Sequence, residues 1–285
     1  MLEKNGREQM KKIQVGKAVI GGNKPFTLIA GPCVIEEESK TRDIAEFLKE
    51  LTDRLNIPFI FKASYDKANR TSLMGYRGPG ALRGLEILKR IKSDFQLSIL
   101  SDVHRFEEIE PAAEVLDVMQ VPAFLCRQTD FIMEMAQKAK VINIKKGQFL
   151  APWDVKNIIE KIEAAGMEGL MITERGASFG YNNLVADMRA IPIMRTFGYP
   201  VIFDATHSVQ LPGGMGTASG GQREMIPFLA RAAVATGVDG LFFEVHPHPE
   251  AALCDGPNSL RMTDLEKILK VLTKIDRLVK TSGEL

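Results

Sequence analysis

Eight side chains able to do chemistry stand at or just past the ends of eight short apolar runs. They are Cys33, Lys62, Asp102, Gln120, Lys145, Arg175, His207 and Glu244. A thiol, an imidazole and carboxylates can ligate a transition metal, lysines and arginines can hold a phosphate, and a carboxylate beside a lysine can manage a proton. The runs are Thr27–Gly31, Ile57–Lys62, Leu97–Asp102, Leu116–Gln120, Val141–Lys145, Gly169–Glu174, Pro200–Asp204 and Asp239–Glu244. A closed parallel barrel gathers all its strand ends on one rim, and that placement would bring these groups together.

The segments between the runs carry helical periodicity. Glu37–Leu55 sets Ile44, Phe47, Leu48 and Leu51 on one face, and Ala81–Phe95 does the same with Leu82, Leu85, Leu88 and Ile91. Pro152–Ala165 opens on a proline and aligns Val155, Ile158, Ile159 and Ile162. Gln222–Thr236 and Thr263–Lys280 follow, the latter with a stripe of Val271, Leu272, Ile275 and Leu278. Shorter helices are expected at Phe106–Glu114, Thr129–Ala139 and Asn183–Thr196. Strand then helix, eight times, predicts a (β/α)8 TIM barrel; eight units in this length favour closure over a doubly wound open sheet. No linker rich in Pro, Gly or Ser interrupts the chain, so residues 1–285 are expected to form one domain, with 1–26 as an N-terminal extension. Within it, Val15, Ala18, Val19 and Ile20 predict a hairpin over Lys12–Gly22 that plugs the barrel floor.

Bulk properties narrow the function. The 285 residues are 45% hydrophobic and 26% charged, with a formal net charge of +1. That balance gives no electrostatic case for nucleic acid or a membrane surface. Three cysteines without framework spacing predict free thiols and a cytoplasmic setting. The opening MLEKNGREQMKK lacks the apolar core of a signal peptide, and no apolar run reaches the ~18 residues of a membrane span. Glycine-rich loops, MGYRGPG at Met74–Gly80, RGASFG at Arg175–Gly180 and LPGGMGTASGG at Leu211–Gly221, fall on the strand-exit side, where loops serve binding.

In a closed ring the first, seventh and eighth strands are neighbours. Cys33, His207, Glu244 and Asp255 can then converge on one ion, a mixed soft and hard set suited to Zn²⁺, Fe²⁺, Co²⁺ or Mn²⁺. Cys254 is read here as packing, and His246 and His248 as surface groups or as supports behind the ligands. The segment KASYDKANRTS, Lys62–Ser72, adds Lys67, Asn69, Arg70 and Thr71 to Lys62 at one strand mouth. Lys145, Lys146, Gln148 and Arg175 form a second basic set. Two such sets predict two anionic groups, either on two phosphorylated substrates or on one bisphosphate.

Longer motifs then resemble a known family. GPC at Gly31–Cys33, KASYDKANRTS, VPAFLCRQTD at Val121–Asp130, INIKKGQFLAPWD at Ile142–Asp154, ERGASFGYNNLVADM at Glu174–Met188, FDATHSVQLPGG at Phe203–Gly214 and HPHPEAALCDGPNSL at His246–Leu260 are similar to 3-deoxy-D-manno-octulosonate 8-phosphate synthases. The resemblance implies a transferase on a (β/α)8 barrel. It would condense phosphoenolpyruvate with arabinose 5-phosphate, releasing inorganic phosphate, to make a precursor of lipopolysaccharide. A cysteine at Cys33, where other members carry asparagine, implies the metal-dependent class, with Cys33, His207, Glu244 and Asp255 as ligands. Lys62, Lys145 and Arg175 resemble phosphoenolpyruvate binders, with Gln120, Gln148 and the backbone near Pro122 and Ala123. Lys67 would sit beside the reacting groups, and Asn69, Arg70 and Thr71 would hold the sugar phosphate. Arg127 resembles a residue that reaches a neighbouring subunit's sugar phosphate, implying a homotetramer. The expected catalytic set is Lys67, Asp102, His207 and Asp255. Departures from the pattern are small: Tyr65 for phenylalanine, Thr71 for serine, and Met74-Gly75-Tyr76 before the RGPG turn.

Two alternatives stand beside this. A 3-deoxy-D-arabino-heptulosonate 7-phosphate synthase would use erythrose 4-phosphate, but its basic loop reads KPR where this chain has KANRTS. A non-catalytic barrel sensing a sugar phosphate would bind without turnover.

Overall fold

The computed structural model describes residues 10–214, 216 and 219–282. Eight parallel strands form the ring: β1 (Thr27–Gly31), β2 (Phe59–Lys62), β3 (Ile99–Asp102), β4 (Val118–Val121), β5 (Ile142–Lys145), β6 (Leu170–Glu174), β7 (Val201–Asp204) and β8 (Gly240–His246). Each pairs with its sequence neighbours, and β8 pairs with both β7 and β1, in register from Gly240↔Thr27 to Glu244↔Gly31, which closes the barrel. The helices between are α1 (Glu38–Leu55), α2 (Ala81–Phe95), α3 (Phe106–Val115), α4 (Thr129–Lys138), α5 (Val155–Ala164), α6 (Ala190–Arg195), α7 (Ile226–Ala235) and α8 (Met262–Thr281). The predicted (β/α)8 architecture is therefore present.

The strands lack polar alternation because both faces are covered. One set of side chains, including Leu28, Ala30, Phe61 and Phe203, packs outward against the helices. The other, Ile29, Ile60, Leu100, Val118, Met171, Ile202 and Phe242, fills the barrel. The hairpin Ile13–Val15 with Ala18–Ile20 pushes Ile13, Val15 and Ile20 into that inner layer and closes the floor as predicted. Gly16, at φ +54°, makes its turn, and a Cβ there would lie 2.2 Å from Ser98 Oγ. Seven of the eight apolar runs begin one or two residues before their strands, and in two of them a proline stands there. Pro58 and Pro200 donate no hydrogen bond, yet their carbonyls accept from Leu28 and Ile172.

Three helix readings need correction. Leu82 is 82% exposed, and α2 buries Leu85, Ile87, Leu88 and Ile91 instead. On α8 Val271 and Leu278 are exposed, whereas Leu265, Leu269, Leu272 and Asp276 face the barrel. The stripe was hidden because one of its members is an acid: Asp276 accepts from the Phe26 backbone N–H and pairs with Lys280. The helix expected at Asn183–Thr196 begins only at Ala190; Leu184–Val185 instead pairs antiparallel with Ala177–Ser178 in a ribbon over the rim. A second ribbon, Gln210–Leu211 with Gly220–Gly221, lies in the loop after β7. Residues 215, 217 and 218 of that glycine-rich loop fall outside the described residues, as do 1–9 of the N-terminal extension.

Candidate active site

The strand ends hold the site, and backbone contact fixes how closely they approach. Gly31 ends β1 where a Cβ would lie 1.8 Å from the Lys62 carbonyl oxygen, so β1 and β2 nearly touch there. Lys62 is fully buried and does not reach the cleft. Its ammonium donates to Cys33 O at 2.8 Å, Pro32 O at 3.3 Å and Glu244 Oε1 at 2.7 Å. It ties the exits of β1, β2 and β8 together beneath the four predicted ion ligands.

Three of those donors, His207, Glu244 and Asp255, surround one small volume, and Cys33 joins it through Asp255 in a second group with Cys254. His207 Nε2 is 3.5 Å from Glu244 Oε2 and 3.7 Å from Asp255 Oδ2, and that same Asp255 oxygen is 3.5 Å from Cys33 Sγ. An ion bonded at about 2.0–2.3 Å separates neighbouring tetrahedral donors by roughly 3.3–3.8 Å, so the spacing matches a transition-metal site. Glu244 Oε2 is buried without a hydrogen-bond partner, which is the condition of a ligand oxygen awaiting a cation. Asp255 reaches the cluster from a left-handed backbone, φ +48°. Behind His207, Asp204 Oδ2 lies 2.7 Å from Nδ1, and Oδ1 accepts the His207 backbone N–H at 2.9 Å.

Above this cluster a cleft opens at the strand-exit face. It is lined by Lys67, Asn69, Arg70 and Thr71 on one side, by Ala123, Lys145, Gln148 and Arg175 on the other, and by Asp102, His207 and Asp255 between them. Both predicted cationic sets therefore face one space. Lys146 does not join them: it is buried among the carbonyls of Gly147 and Leu150 and lies 3.4 Å from Glu174. Arg127 is exposed beyond the turn Ala123–Leu125 and does not line the cleft. Gln120 lies below it in a buried chain of hydrogen bonds. Thr173 donates to Asn143 Oδ1 at 2.8 Å, Asn143 to Gln120 Oε1 at 2.7 Å, and Gln120 to Asp102 Oδ1 at 2.5 Å; Ser64 donates to Asp102 from the far side. Every donor in the chain points toward Asp102, which sits 3.7 Å from Lys67 Nζ.

The sequence profile of the DAHP synthetase I family matches residues 6–281. This chain belongs to that family. The chain is 60% identical over 270 residues to the 2-dehydro-3-deoxyphosphooctonate aldolase of Geobacter metallireducens, covering 95% of this chain and 99% of that protein. It is 61% identical over 269 residues to the protein of the same name from Geobacter sp. (strain M21), covering 94% and 98%. The same name belongs to the Pelobacter propionicus protein, 61% identical over 270 residues, covering 95% and 99%.

For this family member the charges of the site are strongly coupled. Burial alone would raise the Glu244 carboxyl, but Lys62, His207 and Lys67 outweigh it and bring its pKa down to about 2. Burial likewise opposes ionisation of Asp102 and Asp255. Lys67, Lys62 and Lys145 hold Asp102 well below the usual carboxylate range, and the hydrogen bond and charge of His207, with Lys67, do so for Asp255. Lys67 resists its own burial because the carboxylates of Glu244 and Asp102 lie beside it, so it stays cationic. His207 is raised above the ordinary value as Asp204 outweighs desolvation. Burial pushes the Cys33 thiol well up, reinforced by Cys254 and Glu244, so forming the thiolate calls for an added cation.

Several residues at the site escaped the sequence analysis. Cys254, read as packing, accepts from the Cys33 thiol at 2.9 Å and from Arg70 Nη1 at 2.9 Å. Its only signal was adjacency to Asp255. Gln210 accepts from Arg175 Nη2 at 2.9 Å and reaches toward Asp255. His104 lines the cleft two residues beyond the end of β3, a position the strand-end rule would have flagged. His246 is buried beside Glu36, 3.4 Å from its Oε2, while His248 is exposed.

Proposed function

We propose that this protein condenses phosphoenolpyruvate with arabinose 5-phosphate, giving 3-deoxy-D-manno-octulosonate 8-phosphate and inorganic phosphate, a transferase step of lipopolysaccharide biosynthesis. The observation that carries the proposal is two cationic sets facing each other across one cleft, with a cluster of metal-ligating donors at its base. The names of relatives at about 60% identity over nearly the whole chain support it independently. Asn69, between Lys67 and Arg70, favours arabinose 5-phosphate over the shorter erythrose 4-phosphate as acceptor.

In this scheme Lys145, Gln148 and Arg175 bind the phosphate of phosphoenolpyruvate, with Gln120 and Ala123 shaping the floor and wall beside it. Asn69, Arg70 and Thr71 hold the sugar phosphate. Carbon 3 of the enol attacks the aldehyde carbon, water adds at carbon 2, and the resulting hemiketal phosphate loses phosphate with C–O cleavage. Holding both substrates in one cleft converts a two-body encounter into a local one, which supplies several kcal/mol, about 7–11 at the limit of ideal alignment. Lys67, kept cationic by its carboxylate neighbours, gives a proton to the aldehyde oxygen as negative charge develops there; Asp102 takes the proton that the adding water loses and returns it to Lys67, and the hemiketal hydroxyl proton leaves with the phosphate. Lys145 and Arg175 stabilise the departing phosphate.

Cys33, His207, Glu244 and Asp255 would hold a divalent transition metal, one of Zn, Fe, Mn or Co; their chemistry suits such an ion, and His207, Glu244 and Asp255 have the spacing of one, with Cys33 beside Asp255. That ion would polarise an oxygen or acidify a water. Lys62 acts as the tie beneath these ligands. We also propose a homotetramer in the cytoplasm, in which the outward-facing Arg127 serves a neighbouring copy. In support of a soluble setting, no helix among the described residues is long and apolar enough to cross a membrane.

The test is phosphate release from phosphoenolpyruvate with each aldose phosphate, before and after chelation and with Co²⁺ or Zn²⁺ restored. Release with arabinose 5-phosphate that chelation abolishes and the ion restores is expected. Turnover with erythrose 4-phosphate alone, or binding without turnover, would overturn the assignment. Arg70→Ala should raise the KM for the sugar phosphate about tenfold or more, as loss of a charged phosphate contact implies, while kcat changes less.

A further inference from the structure

We propose that Asp204 is a positioning residue that couples the ion-binding part of the site to its phosphate-binding part. The inference rests on the assignment above, in which an ion sits at His207 and a phosphate at Lys145. Asp204 ends β7 and has no exposed surface. Its Oδ1 accepts from the His207 backbone N–H at 2.9 Å and from Thr206 Oγ1 at 3.0 Å, which fixes the carboxylate plane. Its Oδ2 lies 2.7 Å from Lys145 Nζ and 2.7 Å from His207 Nδ1.

A carboxylate at that distance requires the His207 proton on Nδ1. When the Nε2 proton gives way to an ion, the Nε2 lone pair faces Glu244 and Asp255, which is the tautomer a metal needs. One oxygen thus serves two donors that belong to different ligands. Lys145 lines the cleft, and its ammonium is also 3.4 Å from His207 Nδ1. An anion that takes up the protons of Lys145 releases Oδ2 to His207 alone. The shared hydrogen bond strengthens, and Nε2 becomes the better ligand. Linkage requires the converse: the bound ion must tighten the anion by the same factor.

The experiment is Co²⁺ binding to the full chain by competition with a chromophoric chelator, with and without saturating phosphoenolpyruvate and in the absence of sugar. Wild type should bind Co²⁺ about fivefold more tightly, or better, when phosphoenolpyruvate is present, the lower end of typical coupling factors. Asp204→Asn should weaken Co²⁺ binding about tenfold or more, as the loss of a carboxylate behind a ligating histidine does elsewhere, and should abolish the effect of phosphoenolpyruvate. Lys145→Met removes the competing donor without touching Asp204. Its Co²⁺ affinity alone should rise to the wild-type value measured with phosphoenolpyruvate. Asp204→Asn with wild-type affinity or an undiminished phosphoenolpyruvate effect would overturn the proposal. So would Lys145→Met with unchanged or weaker Co²⁺ binding, which keeps the test valid if the asparagine variant fails to fold. Should wild type take up no Co²⁺, or His207→Ala bind it equally well, the ion assignment falls too. Tight wild-type binding with no response to phosphoenolpyruvate refutes the coupling alone.

Discussion

Lys62→Met should cost the ion-free protein several degrees of melting temperature and cost the ion-loaded protein much less. The lysine is fully buried, with Glu244 Oε1 at 2.7 Å and the carbonyls of Cys33 and Pro32 at 2.8 and 3.3 Å. Methionine fills similar volume but leaves Glu244 without its closest counter-charge, the remaining ones being His207 at 3.5 Å and Lys67 at 3.8 Å. Removing one partner of a buried pair costs about 3–5 kcal/mol. Unfolding entropy of about 2.1 cal/mol/K per residue gives roughly 0.6 kcal/mol/K for a chain of this length, so the expected loss is about 5–8 °C. A bound cation re-neutralises Glu244 but not the two stranded carbonyls, each worth about 1 kcal/mol or more. The gap should therefore close to about 3 °C with Co²⁺. Differential scanning fluorimetry of chelator-treated and Co²⁺-loaded protein reads both values. A fall under about 1 °C, or an equal fall in both forms, would refute the view that Lys62 chiefly balances Glu244.

Asn143→Leu should strand Gln120 Oε1 and Thr173 Oγ1 in the barrel, costing about 2–4 kcal/mol by urea unfolding and lowering kcat more than KM as Asp102 loses its fixed setting. Wild-type kcat in this variant would remove the chain from the mechanism. Glu36 accepts from Lys40 and from the Leu253 backbone N–H, which anchors the loop bearing Cys254 and Asp255. Burial would raise its carboxyl, but Lys40 and Leu253 hold it below the ordinary 4.5. A depressed folded value means the stabilisation is complete above the unfolded pKa and is lost as pH falls through the folded one. The melting-temperature gap between wild type and Glu36→Gln, about 1 kcal/mol for charge-assisted bonds partly open to solvent, should hold at neutral pH and close below pH 4.5. A gap that widens on acidification contradicts this. Gly31→Ala drives a Cβ to 1.8 Å from the Lys62 carbonyl and should leave little soluble, cooperatively melting protein.

Periodicity is legible where neighbouring residues share one environment. The inner layer of Ile29, Ile60, Leu100 and their equivalents is apolar throughout, so the strands and their order could be read along the chain. The α8 stripe could not, because Asp276 occupies a buried position that only a distant partner, the Phe26 N–H, makes tolerable. Lys62 shows the same limit at the site. A lysine ending a strand looks like a phosphate ligand, yet the close approach of β1 and β2 encloses it against Glu244.

By itself the sequence determined the barrel, its plugged floor and the rim on which chemistry gathers, and it named the candidates for ion and phosphate binding there. These follow from residue type and spacing, which are local. Ring closure decided which of those groups meet. It set Cys254 against Cys33, aligned the hydrogen bonds from Thr173 to Asp102, and let one oxygen of Asp204 serve both Lys145 and His207. Such contacts depend on the register between strands far apart in the chain, and that register is fixed only when the whole core packs at once.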